Sequence, residues 1–65
     1  MIQLNSSCIK AVDYSPVTRH LQVWFPKNGP YTYFGVPLSV YERLITAASP
    51  GRYFAENIKP YYSEQ

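Results

Sequence analysis

The stretch His20-Leu21-Gln22-Val23-Trp24-Phe25-Pro26-Lys27-Asn28-Gly29-Pro30-Tyr31-Thr32-Tyr33-Phe34 decides the fold. Its first six residues alternate, with Leu21, Val23 and Phe25 on one face and His20, Gln22 and Trp24 on the other, as a strand buried on one side requires. Asn28-Gly29 supplies the positive φ values of a tight hairpin turn, and Pro26 and Pro30 mark the limits of ladder pairing. Tyr31 to Val36 is rich in β-favouring residues and predicts the returning strand. On the other side, Cys8 to Tyr14 predicts a further strand, whose alternation falters at Ala11-Val12 in the manner of a bulge. Ser15-Pro16-Val17-Thr18 carries turn chemistry. Connections this short join antiparallel neighbours, since a parallel crossover needs a dozen or more linking residues. The expectation is a three-stranded antiparallel meander.

Helical spacing takes over after Val36-Pro37. Ser39 and Glu42 have the Ser-x-x-Glu spacing of a capping box. Leu38, Tyr41, Leu44, Ile45 and Ala48 form an apolar stripe. Ser49 then suits an N-cap and Pro50 a first helical position, so a second, shorter helix starts there, with Tyr53, Phe54 and Ile58 as its apolar positions. Pro60 ends it, and Tyr61 to Gln65 form a loosely held tail. The fold class predicted is α+β: the meander with two C-terminal helices packed on one face, as a single domain spanning residues 1–65 with a core at about 6–58.

Composition agrees with one small domain. The chain has 65 residues, 46% of them apolar, too few for a doubly wound sheet, a barrel or a two-domain cleft. Aromatic residues make up 17% and charged residues 15%, a balance that excludes a disordered chain. The formal charge of +2 is a mild bias and not in itself a nucleic-acid signature. A single cysteine, Cys8, excludes an intramolecular disulfide and a cysteine-rich zinc knuckle. Met1 to Ser7 has no basic segment followed by an apolar run, and no stretch approaches the length of a membrane helix, so the expected setting is a reducing cytoplasm without a membrane partner.

The order of features also resembles a known family. Ser6-Ser7-x-Ile9 opens a strand and Tyr14-Ser15 closes it. Leu21-x-Val23-x-Phe25, Tyr31-x-Tyr33, Val36-Pro37, Val40-Tyr41 and Ala48-Ser49-Pro50-Gly51-Arg52-Tyr53-Phe54 follow. This series, from Ser6 to about Ile58, resembles the KTSC domain, a module found at the C-terminus of some lysyl-tRNA synthetases and as free-standing small bacterial proteins. One departure is Ser15, where the family often has an acidic residue. The resemblance implies no catalytic residues. It implies RNA binding only by association with a tRNA ligase, and a fold alone does not fix a function.

Candidate site residues follow from the pleat. Tyr31 and Tyr33 share one face: if it is open, they stack bases; if it meets the helices, they are core. His20 and Trp24 share the other face with Thr32 and Phe34, and a pairing that sets Trp24 beside Phe34 would leave two large rings uncovered unless Tyr61 and Tyr62 fold over them. The candidate phosphate contacts are Lys10, Arg19, Lys27 and Arg52, of which the first three can gather around the sheet while Arg52 belongs with Arg43 and Lys59 to the helical side; Lys and Arg are scattered along the sequence, as in ordinary solubilisation. Cys8 and His20 do not make a nucleophile and base, because Cys8 reads as a small buried residue and no spacing implies a third partner. No carboxylate pair, metal-ligand set or phosphate loop is present. The chain therefore reads as a binding module without a cofactor. Its partner is RNA, as tRNA or a single strand, or else a protein or a second copy of itself.

Overall fold

The computed structural model describes residues 1–62 and shows an α+β domain with four strands and two helices. The strands are β1 (Ile2–Gln3), β2 (Ala11–Ser15), β3 (His20–Trp24) and β4 (Tyr31–Tyr33), and they lie side by side in chain order, every pair antiparallel. The helices α1 (Leu38–Thr46) and α2 (Pro50–Asn57) follow. The sheet thus has one strand more than the sequence predicts. β1 was missed because two residues carry no readable alternation. It reaches β2 through a loop held by Leu4 N–H to the Lys10 carbonyl (3.0 Å) and by the Ser6 hydroxyl, which accepts from the Cys8 (3.2 Å) and Ile9 (3.4 Å) amides.

This loop absorbs Cys8, Ile9 and Lys10, which the sequence reading assigns to a strand. No bulge is needed at Ala11-Val12. Both are buried, yet on opposite faces: Val12 pairs with Val23 toward the helices, and Ala11 lies between Gln3 and Trp24 on the outer side. The strand ending at Tyr33 is shorter than expected because Gly35, at φ 72°, turns the chain toward α1.

Pleating sends Val12, Tyr14, Leu21, Val23, Tyr31 and Tyr33 to the inner face. There they join Val36, Leu44, Phe54 and Ile58 in one apolar cluster completed by Ile9. Phe54 is the centre of its aromatic part, with ring centroids 5.2 Å from Tyr33 and 5.6 Å from Phe25. Tyr14 stacks on Tyr41 of α1 at 4.6 Å, and its hydroxyl donates to the Val36 carbonyl.

The helix boundaries differ slightly from expectation. α1 is capped by Pro37, so Ser39 and Glu42 sit within its first turns and the capping box does not form. It ends at Thr46, leaving Ala48 outside. α2 starts as predicted, with Ser49 as N-cap and Pro50 as first residue, although the Ser49 hydroxyl makes no capping bond. Tyr62 packs against the core cluster, so it does not cover the outer face, and Tyr61 is 73% exposed. The rest of the expected tail, Ser63 to Gln65, lies outside the described residues.

Candidate functional site

Both helices occupy the inner side, which leaves the outer sheet face without a covering layer among the described residues. Its rows follow from the register. Gln3, Ala11 and Trp24 form one row; Asp13, Gln22 and Thr32 form the next; Ser15 and His20 form the third. Phe34 extends the third row, its ring meeting His20 edge-on at 4.7 Å and 63°. Two rings therefore stand at one end of the face and Trp24 at the other, about 13 Å away along β3. At the ring-pair end an open depression of about 340 Å³ is lined by the polar row, by Ser15 and the His20–Phe34 pair, and by Thr18 of the β2–β3 turn, with Trp24 outside it.

The polar groups in this depression have spare capacity. Asp13 is half exposed; its Oδ1 accepts from the Tyr14 amide at 3.0 Å and lies 3.6 Å from the amino group of Met1. The Gln22 amide and the Thr32 hydroxyl have no hydrogen-bond partner among the described residues. Across the sheet, the Asp13 charge also acts on Tyr41, whose phenol is pushed up first by burial and then by that carboxylate.

The residues singled out from sequence do not form one surface. His20, Trp24 and Phe34 share the outer face, but the register pairs Leu21 with Tyr33, so Phe34 meets His20 and not Trp24. The β3–β4 pairing is centred on Lys27 and not on Asn28-Gly29, because the connection is a wide loop closed by Phe25 N–H to the Asn28 carbonyl. Arg19 sits in the β2–β3 turn beside His20, and its φ of 60° is a left-handed conformation uncommon for such a side chain. Lys10 and Lys27 lie at the Trp24 end; the Lys10 amide donates to the Trp24 carbonyl at 2.8 Å.

Tyr33 is a core residue, 2% exposed, and so is withdrawn from any surface role. Tyr31, on the same inner face, is half-buried 5.6 Å from Phe25 at the rim of a second depression, of about 320 Å³, that also takes in Lys59. Arg52 belongs to the helical layer and pairs with Glu56 at 3.2 Å. Cys8 is exposed, against expectation, and packs beside Gly51 at the start of α2, away from His20. Asp13, Gln22 and Thr32 were not singled out as site residues. Alternation puts Gln22 beside His20 and Trp24, but the Asp13–Gln22–Thr32 row exists only once turn lengths set the register.

The fold and this face define a small α+β domain with one covered and one open sheet surface, and comparison with known proteins places it. The chain belongs to the KTSC domain family, whose model matches residues 5–62. A lysine–tRNA ligase of Nostoc sp. is 42% identical over 59 residues, which cover 91% of this chain and 10% of the ligase. The chain thus spans about a tenth of the ligase relatives it matches. A protein of Tsukamurella paurometabola is 35% identical over 60 residues, covering 92% of this chain and 90% of that one. The crystal structure of a KTSC domain protein from Yersinia pestis superposes with a TM-score of 0.92 at 33% identity, over 97% of this chain and 89% of that one. The module therefore occurs both within tRNA ligases and as nearly the whole of a small protein. No helix among the described residues is long and apolar enough to cross a membrane.

Proposed function

We propose that this domain binds single-stranded RNA across its outer sheet face and has no catalytic step of its own. The observation that carries this reading is the face that no helix covers, with exposed His20 and half-buried Phe34 at one end and half-buried Trp24 at the other. Unpaired bases stack on such rings, each contact being worth about 1–3 kcal/mol, and are read along their edges by polar groups between the rings. Arg19 at one end and Lys10 and Lys27 at the other suit phosphates flanking the bound bases, whereas Asp13 keeps phosphates out of the middle. The occurrence of the module within lysine–tRNA ligases supports the same reading.

The test is an NMR or gel-shift titration with tRNA and with short single strands. Trp24→Ala and Phe34→Ala should each weaken binding by about 1–3 kcal/mol while leaving the fold intact by amide spectrum. Binding no tighter than that of an equally charged control protein, or indifferent to both substitutions, removes the proposal. So does a dimer that survives high salt and buries Trp24 against a second copy.

A further inference from the structure

We infer that the depression on the outer face selects an unpaired guanine; this rests on the RNA reading above and deepens it. The wall of the site is the His20–Phe34 pair, whose tilted rings offer a flat base an aromatic surface. One row away, at the two-residue spacing of the pleat, stand the Asp13 carboxylate, the Gln22 amide and the Thr32 hydroxyl, side by side on β2, β3 and β4. A base stacked on the rings therefore turns its edge to this row.

The row is ordered by chemistry. Asp13 accepts only, with lone pairs remaining after its bond from the Tyr14 amide. Gln22, next to it, has two N–H donors that no group among the described residues uses. An edge that matches carries two adjacent donors followed by an acceptor. Guanine presents that series, with its amino group and ring N–H on the carboxylate and its carbonyl oxygen on the amide. Uracil flanks a single N–H with two carbonyl oxygens, which the carboxylate repels. Adenine and cytosine each place a ring acceptor next to their amino group, so only one donor reaches Asp13. The Met1 amino group near Asp13 is a half-exposed competitor that a base-edge contact displaces.

The experiment uses the whole chain and fluorescein-labelled uridine decamers with a central guanosine, inosine, adenosine, cytidine or uridine, read by anisotropy. Guanosine should bind roughly tenfold or more tightly than inosine, which lacks only the amino group, and than the other three. Asp13→Asn should erase the guanosine–inosine difference and, with the repelling charge gone, bind the all-uridine strand at least as tightly as the parent chain does while keeping a native amide spectrum, and Arg43→Ala on α1 should retain the preference. Equal binding of all five strands overturns the guanine assignment while leaving the RNA reading in place. Failure of every strand to bind overturns both. A preference that persists in a folded Asp13→Asn protein also overturns the assignment, since the carboxylate would then not be the reader.

Discussion

Tyr41 shows how one phenol is coupled to both layers of the molecule. It stacks on Tyr14, is withdrawn from water by that contact, and feels Asp13 from the far side of the sheet. Both effects disfavour the phenolate, so the folded chain holds this proton more tightly than the unfolded chain does. Stability that is complete below the ordinary phenol range is accordingly lost as pH rises from that range through the pKa of Tyr41. Thermal melts on the alkaline side should show this decline, and Tyr41→Phe should remove part of it. Asp13→Asn should bring the Tyr41 titration, followed by tyrosine NMR, only part of the way back, because burial is the larger cause. A second residue-scale expectation concerns Leu44, the fully buried side chain of α1. Leu44→Ala should cost about 2–5 kcal/mol in chemical unfolding, a large share of what a domain this small has.

Among elements, the junction of the β1–β2 loop with α2 leaves no room for a side chain at Gly51. A Cβ placed on Gly51 would lie 2.6 Å from the Cys8 Cβ and 3.1 Å from its Sγ. Gly→Ala inside a helix ordinarily gains up to about 1 kcal/mol. Here overpacking reverses the sign, and Gly51→Ala should destabilise by about 1–3 kcal/mol. Adding Cys8→Gly should recover part of that loss in a double-mutant cycle, as expected for two groups in contact. The same scale shows what could be read in advance. Strict alternation from His20 to Trp24 and the Ser49-Pro50 start of α2 carry their own local signals, and both elements stand where the sequence put them. β1, the true ends of β2 and β4, and the cap of α1 depend on contacts distant in sequence, such as Lys10 with Trp24 or Tyr14 with Val36. The partnership of His20 with Phe34 belongs to that second group, because a loop of unspecified width sets the register.

Taken whole, the domain divides its few cations between its layers. Arg43, Arg52 and Lys59 belong to the helical half, which leaves Lys10, Arg19 and Lys27 on the loops at the two ends of the sheet. RNA affinity should therefore fall with rising salt along a shallow slope, reflecting two or three neutralised phosphates and not a basic groove. Arg19→Asn should flatten that slope by about 0.7 in log units while sparing the turn, since asparagine tolerates the left-handed φ found there. An unaltered slope would remove Arg19 from the contact surface.

The hydrogen bond from the Val36 amide to the Arg19 carbonyl, at 3.0 Å, joins the β2–β3 turn to the entrance of α1. The Tyr14 hydroxyl holds the Val36 carbonyl from the other side. Phe34, two residues upstream, is thereby fixed before any guest arrives, so the mould is cast during folding and little ordering entropy is left to spend on docking. Val36 should number among the slowest amides to exchange with deuterium, and occupancy should change that rate only slightly.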